Sequence, residues 1–167
     1  EKLGNVVDYF LLNNREIAHR CDDSVIRVHG ESQVFLRRSR GYAPSPVILK
    51  EKVKHCALGL GGELNNTACV LLGDKAFISQ HIGDVENIET RDFLVNAVKH
   101  LNHLTNSKVE LVACDLHPKF TTTKLAEEQS EKNGWHLVQV QHHYAHIAAL
   151  MAEYGIKEIV GVCCDGY

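Results

Sequence analysis

The sequence predicts an α/β fold built on a mixed sheet, and three patterns indicate this class. Short apolar runs separated by glycine or asparagine turns come first, as in an antiparallel meander. Apolar residues at helical spacing then alternate with strand-like runs, as in parallel α/β units. The predicted order is βββαβαβα followed by one more strand. We therefore expect an antiparallel meander at one edge, parallel strands inside and helices on the faces.

The composition excludes several classes of protein. The 167 residues are 44% hydrophobic and 23% charged, which is typical of a globular protein with a real core. A formal net charge of −3 argues against a surface that coats nucleic acid, and no apolar run reaches the length of about 20 residues that spans a membrane. The cysteines form no C-x-x-C pair, so neither a zinc ribbon nor a disulfide framework is expected. With no signal-peptide pattern at the start, we expect a cytoplasmic protein.

The first predicted elements are strands, and they precede a domain boundary. Two β-branched or aromatic runs, residues 24–28 and 33–37, flank a short turn and predict a β-hairpin. Residues 12–17 predict a turn that leads into an earlier short strand. Two prolines and a glycine then end regular structure, and we place the boundary near residues 44–54.

The meander follows this boundary. Residues 56–62, 67–72 and 76–82 are apolar runs joined by short turns, which predicts three antiparallel strands. A helix is predicted over residues 90–104, with Thr90 as its cap, because apolar residues recur there at helical spacing.

The next segment alternates strands with a helix. Residues 110–115 and 135–140 are predicted as buried strands. Between them, residues 121–133 predict a polar helix that Gly134 closes. This alternation is the source of the expected parallel strand pairs.

The last predicted helix (residues 142–155) and strand (158–164) carry candidate metal ligands. His142 and His146 stand one helical turn apart, which places their Cβ atoms about 5–6 Å from each other. The helix macrodipole disfavours imidazolium near the N-terminus, so we expect both rings to be neutral near pH 7, as metal ligation requires. Asp165 follows the last strand and is a candidate third ligand, because ligands collect at the carboxyl ends of strands in such folds.

Alternative interpretations of these residues stay open at this point. A histidine-rich helix start also occurs with exposed or hydrogen-bonded rings and no metal. Asp115 ends a strand before a turn at Pro118, and with His117 it either supports a site or acts only as a cap.

Six short motifs occur along the chain, two before the boundary and four after it. They lie at residues 20–25, 36–44, 61–67, 79–84, 114–118 and 140–146. Each motif is weak alone, but six in one order are specific. In this order they resemble the motifs of the HypF family, the carbamoyltransferases of [NiFe]-hydrogenase maturation.

The resemblance implies a division of the chain into two partial domains. Residues 1–48 resemble the C-terminal part of a YrdC-like domain, which in this family makes carbamoyl-adenylate from carbamoyl phosphate and ATP. Residues 49–54 are the linker. Residues 55–167 resemble the N-terminal half of a TsaD-like carbamoyl-transfer domain, which belongs to the actin, Hsp70 and sugar-kinase superfamily. The chain is therefore expected to be a fragment of a longer polypeptide.

The resemblance also implies the site residues, although it assigns no catalytic side chain. His142, His146 and Asp165 are expected to bind a divalent metal, zinc or iron. ATP and carbamoyl phosphate are the expected substrates, with magnesium, and a HypE-like protein is the expected acceptor partner. The expected nucleotide- and phosphate-binding residues are Ser24, Arg37, Arg38, Arg40, Glu63, Asn65, Asn66 and Thr67.

These phosphate-binding assignments have plain alternatives. Fixed guanidinium charge suits phosphate, yet Arg37, Arg38 and Arg40 also fit a solvated basic loop beside a hairpin. Asn65 and Asn66 also fit a simple turn.

Two rival functions are compatible with the same motifs. One is a threonylcarbamoyl transferase that acts on tRNA and shares the metal pair and the fold. The YrdC-like tail ahead of the transfer domain and the motif at residues 79–84 favour HypF over it. The other is a non-catalytic fragment that acts only as an interaction module.

Overall fold

The computed structural model describes residues 3–165, so the ends of the expected segments 1–48 and 55–167 lie outside the described residues. The described strands are β1 (Val25–His29), β2 (Ser32–Arg37), β3 (Val47–Ile48), β4 (Ala57–Leu60), β5 (Ala68–Leu72), β6 (Lys75–Ile78), β7 (Leu111–Asp115) and β8 (His136–Val140). The described helices are α1 (Ile88–Thr105), α2 (Thr121–Asn133) and α3 (His142–Tyr154). None of these helices is both long and apolar enough to cross a membrane.

A six-stranded mixed sheet forms the centre of the molecule, which confirms the predicted fold class. Its strand order is β3-β6-β5-β4-β7-β8. Strands β4, β5 and β6 pair antiparallel as the predicted meander, whereas β7 pairs parallel with both β4 and β8. The predicted hairpin also forms, as β1 paired with β2 in a separate two-stranded sheet.

The hydrophobic core lies between the sheet and the first two helices. Leu58, Val70 and Val112 from the central strands are at most 1% exposed, and Leu94 and Leu101 of α1 are at most 2% exposed. Burying one such aliphatic side chain stabilises the fold by about 1.5–3 kcal/mol. Helix α2 adds further buried apolar side chains, but α3 buries none. Packing therefore fixes α1 and α2 against the sheet far more firmly than α3.

The helix ends lie within two residues of the predictions, but the cap of α1 differs. Helix α1 begins at Ile88, and its cap is Asn87, whose Oδ1 accepts a hydrogen bond of 2.9 Å from the backbone N–H of Thr90. The predicted cap, Thr90, was therefore wrong, because the asparagine three residues earlier satisfies the free backbone donor. Gly134 ends α2 as predicted, with a left-handed φ of 69°.

Two predicted strands do not form. Residues 158–164 contain no strand, and Val160 and Val162 are 95% and 82% exposed. Residues 12–17 form no strand either, and the side chain of Asn13 instead closes a turn with Arg15. Both predictions were wrong because an apolar run becomes a strand only beside a partner that satisfies its backbone donors and acceptors, and none pairs with either segment in the described range.

The N-terminal segment is joined to the main sheet at several points. Strand β3, on the N-terminal side of the expected linker, pairs antiparallel with β6. The guanidinium of Arg20 lies 4.5 Å from the ring centre of Phe93 on α1, and His19 stacks on His100 at 4.0 Å. These contacts connect residues 19–20 to α1, while the proposed division into two domains stays a prediction.

Candidate functional site

Three side chains predicted as metal ligands come together at the start of α3. His142 Nε2 lies 2.8 Å from Asp165 Oδ2, and His146 Nε2 lies 3.5 Å from the same oxygen. The two Nε2 atoms are 3.2 Å apart. His142 is half-buried, whereas His146 and Asp165 are exposed. The cluster is therefore open to a ligand from solvent.

The position of the two histidines follows from how α3 begins. Strand β8 ends at Val140, and Gln141 then acts as the cap of α3, because its Oε1 accepts a hydrogen bond of 2.9 Å from Tyr144 N–H. The helix starts at His142, so the second histidine falls one turn later on the same face. The sequence reasoning missed this cap, because glutamine is a less common helix cap than serine or aspartate.

Asp115 holds the other nitrogen of His142. The carboxylate ends β7 and is 7% exposed, and its Oδ2 lies 2.7 Å from His142 Nδ1. Its Oδ1 accepts a hydrogen bond of 2.8 Å from the backbone N–H of His117. The structure thus brings Asp115 to the cluster. It contacts Nδ1 of His142, on the opposite side of the ring from the nitrogen that faces Asp165.

The carboxylates raise the pKa of His142 above its ordinary value. The hydrogen bond that His142 donates to Asp115 is the largest cause, burial acts in the opposite direction, and Asp165 contributes further. The carboxylates therefore act in the direction opposite to the helix macrodipole, and the neutral ring stays a prediction. The dipole favours the neutral form by only about 0.3–1 kcal/mol, and two nearby negative charges outweigh it.

The donor set fits a divalent transition metal. Two imidazole nitrogens and one carboxylate oxygen are ligands that zinc and iron accept, and three protein ligands leave a position open for a substrate. A tetrahedral zinc site with bonds of about 2.0–2.1 Å places neighbouring donor atoms about 3.3 Å apart. The three observed separations, 2.8, 3.2 and 3.5 Å, bracket that value. An ion could thus replace the mutual hydrogen bonds with little movement of the side chains.

The meander turn between β4 and β5 lies against this cluster. A Cβ atom at Gly62 would come within 3.4 Å of His142 Cε1. Asn65 adopts a left-handed φ of 48°, and its N–H donates to Asp84 Oδ1 at 2.8 Å. Asn66 is buried, and its side chain donates to the carbonyl of Gly62 at 2.7 Å. The two asparagines therefore build the turn itself. The sequence reasoning did not predict that Asp84 accepts a hydrogen bond from this turn.

Glu63 connects the same turn to α2. Its Oε2 accepts a hydrogen bond of 2.7 Å from Thr121 N–H, at the first residue of the helix. The preceding residue, Phe120, offers no side-chain cap of its own. Glu63 is therefore placed as a distant cap and a partner of the helix dipole. Thr67, the last predicted residue of the turn, accepts a hydrogen bond of 3.2 Å from Gly61 N–H through its carbonyl.

The basic loop after β2 is held mostly by its own hydrogen bonds. Ser24 Oγ donates to the carbonyl of Arg40 at 2.8 Å, and Arg40 Nε lies 3.4 Å from a carboxylate oxygen of Asp23. Arg38 donates from Nη2 to the carbonyl of Ser45 at 2.8 Å. Its Nη1 is buried and has no hydrogen-bond partner within the described residues. Burial lowers the pKa of Arg38 from its ordinary value. The unpartnered Nη1 leaves this guanidinium with unused donor capacity.

The third arginine of the loop faces the end of the meander. The charge of Arg37, second to burial, lowers the pKa of His81. Ser39 Oγ accepts a hydrogen bond of 2.9 Å from His81 N–H, which fastens the loop to the segment after β6. The basic loop is therefore anchored to the main sheet, but its arginines make none of the contacts reported above for the histidine cluster.

A family model described as the HypF Kae1-like domain matches residues 52–153, which include both cluster histidines. The chain belongs to the HypF family. The probable carbamoyltransferase HypF of Methanocaldococcus jannaschii is 47% identical over 154 residues, covering 92% of this chain and 20% of that relative. The carbamoyltransferase HypF2 of Cupriavidus necator is 45% identical over 170 residues, covering 99% of this chain and 21% of that relative.

Solved structures of the HypF family share the fold. A crystal structure of full-length HypF in the phosphate- and nucleotide-bound form matches with a TM-score of 0.83 and 40% identity, covering 93% of this chain and 24% of that one. The crystal structure of T. kodakarensis HypF matches with a TM-score of 0.80 and 39% identity, covering 88% of this chain and 19% of that one. The chain thus spans about a fifth of the length of the curated relatives that it matches.

Proposed function

We propose that this chain is the part of a HypF carbamoyltransferase that joins the end of a carbamoyl-adenylate-forming domain to the first half of a carbamoyl-transfer domain. Membership of the HypF family carries the proposal, because relatives named carbamoyltransferases match at 45–47% identity over at least 92% of the chain. The complete polypeptide uses carbamoyl phosphate and ATP, and its acceptor is the C-terminal cysteine of a HypE-like protein.

The proposed transfer is an acyl substitution on a mixed anhydride. The thiolate of the acceptor cysteine attacks the carbonyl carbon of carbamoyl-adenylate, because the thiolate and not the thiol is the nucleophile. A carbon–sulfur bond forms, the bond from carbon to the phosphate oxygen breaks, and AMP leaves with the electron pair. The acyl carbon is already activated, so the protein has only to bind the AMP portion, polarise the carbonyl and admit the thiolate.

His142, His146 and Asp165 would hold a divalent metal, zinc or iron, beside this reaction. A bound ion would supply Lewis-acid polarisation of a carbamoyl or phosphate oxygen. Support comes from the donor separations of 2.8–3.5 Å and from the open side of the cluster. The protein side chains orient the site, and the turn at Gly62 limits the space beside His142.

Among the arginines, Arg38 is the one that we favour for a phosphate. Its Nη1 is buried without a partner in the described part of the chain, whereas Arg40 already pairs with Asp23. A guanidinium keeps its charge when buried and recognises phosphate through paired donors. Glu63 shapes the neighbouring turn as a helix cap, and its negative charge is unsuited to direct phosphate contact.

The metal site can be tested by measuring metal content after purification without added metal. We expect about one zinc or iron per native chain and loss of that metal in His142→Ala/His146→Ala. His143→Ala is the matched control, because this neighbouring ring bonds Gln141 and lies outside the cluster. Metal retained by the double variant would contradict the site.

The transfer reaction is tested in the complete polypeptide that contains this chain. With ATP and carbamoyl phosphate, we expect mass spectrometry to show one carbamoyl group on the C-terminal cysteine of the acceptor protein. Threonylcarbamoylation of tRNA instead would support the rival transferase. If neither product forms, the result would favour an interaction module without catalysis.

A further inference from the structure

Asp115 is the carboxylate that contacts His142 on the side away from the predicted ligands. We propose that Asp115 is a positioning residue that holds His142 in the tautomer with its proton on Nδ1. The lone pair of Nε2 is then available to an ion that replaces its hydrogen bonds to Asp165 and His146. This inference rests on the proposed metal site and adds the residue that prepares that site for an ion.

The direction of the hydrogen bonds around Asp115 supports this role. Its Oδ1 is occupied by the backbone N–H of His117 at 2.8 Å, and its Oδ2 lies 2.7 Å from His142 Nδ1. An ionised carboxylate has no proton to donate, so the hydrogen in the second bond belongs to Nδ1. With the carboxylate only 7% exposed, water competes little for this bond.

The sheet fixes where Asp115 points. Strands β7 and β8 are parallel, and Asp115 is paired in register with Val140. The backbone N–H of Leu116 also donates to the carbonyl of Val140 at 3.0 Å. The end of β7 therefore lies beside the residue that precedes Gln141 and the start of α3. A rigid strand end, rather than a loop, carries the positioning carboxylate.

The alternative tautomer would disable the cluster. A neutral ring with its proton on Nε2 has no lone pair there to offer an ion. In the ion-free structure Asp165 Oδ2 at 2.8 Å and His146 Nε2 at 3.2 Å also face Nε2. The carboxylate of Asp115, 7% exposed against 38% for Asp165, therefore has to hold the proton on the opposite nitrogen. Metal ligands commonly have their ring orientation and tautomer set by such a carboxylate, and loss of the partner lowers metal affinity by about 10–100-fold.

Two substitutions separate positioning from simple packing. In Asp115→Asn, the amide oxygen keeps the His117 N–H, so the amide nitrogen faces His142 Nδ1 and donates to it. This near-isosteric change imposes the wrong tautomer. In Asp115→Ala, the ring loses its partner and samples both tautomers. We expect the native chain to bind zinc most tightly, Asp115→Ala less tightly and Asp115→Asn least tightly. The loss for Asp115→Asn should be about 10–100-fold.

A matched control exists elsewhere in the chain. Glu110 Oε2 lies 2.8 Å from His55 Nδ1, so Glu110→Gln removes a carboxylate from another histidine. We expect this control to leave zinc affinity unchanged. Competition with a chromophoric chelator measures the zinc affinity of the native full chain and of its three variants. An asparagine variant that binds zinc as tightly as the native chain, or more tightly than the alanine variant, would overturn the proposal.

The tautomer itself provides a readout that needs no metal. Asp165→Ala removes the carboxylate that competes for Nε2 of His142. In the metal-free full chain with this change, at a pH where the ring is neutral, nitrogen NMR should show the proton on Nδ1 of His142, and on Nε2 when Asp115→Asn is added. An unchanged tautomer would refute the positioning role. Failure of the native chain to bind zinc would instead count against the proposed metal site, so the two failures are distinguishable.

Discussion

Helices α3 and α1 each hold a histidine ring close to another, yet the two pairs have opposite surroundings. On α3, the rings of His142 and His146 lie 4.8 Å apart and face Asp165, and His142 also faces Asp115. On α1, His100 stacks on His19 at 4.0 Å, with an interplanar angle of 21°. His100 is influenced by burial and by two neighbouring histidines, His19 and His103.

The difference shows in the pKa of one ring of each pair, His142 and His100. The pKa of His142 is raised, mainly by its hydrogen bond to Asp115. The pKa of His100 is lowered, first by burial and then by the charges of His19 and His103. Ring proximity alone therefore does not make a cation site, because neighbouring carboxylates decide whether two imidazoles collect positive charge or avoid it.

The largest effect, on metal affinity, is expected from replacing Asp165, the carboxylate that faces both histidines of α3. Asp165→Ala removes one of three predicted ligands, so metal affinity should fall more than about 100-fold, beyond the usual cost of an outer partner. Replacing the α1 pair, as His19→Ala/His100→Ala, should leave it unchanged. Equilibrium dialysis with zinc measures both, and equal losses would remove the distinction between the pairs.

A smaller effect should follow from Arg20, which lies next to the α1 pair in sequence. Arg20→Ala removes a cation–π contact to Phe93, so the free energy of unfolding should fall by about 0.5–1 kcal/mol. Urea denaturation measures this change. Arg27→Ala, at an exposed position in β1, is the control. A loss of equal size in the control would show that the ring contact contributes nothing specific.

The α1 pair should also make stability depend on pH. Because the folded pKa of His100 lies below its ordinary value, the unfolded chain binds more protons as the pH falls through the histidine range. Native stability is therefore lost on acidification. His100→Phe keeps a ring on His19 but does not titrate, so its stability relative to the native chain should rise from pH 8 to pH 5 by about 0.5 kcal/mol or less. A constant difference across that range would exclude this linkage.

The smallest change tests whether a carboxylate alone can reverse the behaviour of the α1 pair. In His103→Glu, a negative charge replaces a histidine three residues from His100, and such helical pairs contribute about 0.2–0.5 kcal/mol. The pKa of His100 should move upward in an NMR titration. His103→Gln controls for the loss of the histidine. The same upward shift in both variants would mean that removing His103, and not adding a carboxylate, is responsible.

Local patterns predicted most of the fold because most elements are specified by their own residues. Predicting the meander and the polar helix over residues 121–133 required only the spacing of apolar residues, the turn residues and a closing glycine. Strand β3 was not predicted, since two residues have no period. The strand expected at residues 158–164 was wrong because strand formation depends on a neighbour as well as on apolar content.

The candidate site was predictable only where its residues are close in sequence. One helical turn of spacing brings His142 and His146 together. Asp165 was predicted from the end of a strand that does not form, and the family resemblance implied it as well. The contact of Asp115 with His142 depends on the parallel register of β7 and β8, which local periodicity does not encode. The raised pKa of His142 was not foreseen for the same reason, because the carboxylates that cause it come from other segments.

The site also joins distant parts of the sequence, which sets when it forms during folding. Asp115 meets His142 across 27 positions, and Glu63 reaches Thr121 across 58. Parallel pairing must close such loops before it gains contacts, so these topologies fold slowly. The cluster is therefore completed only after the strands have found their register. Any ion that it takes would stabilise the finished fold and slow its unfolding, rather than nucleate it.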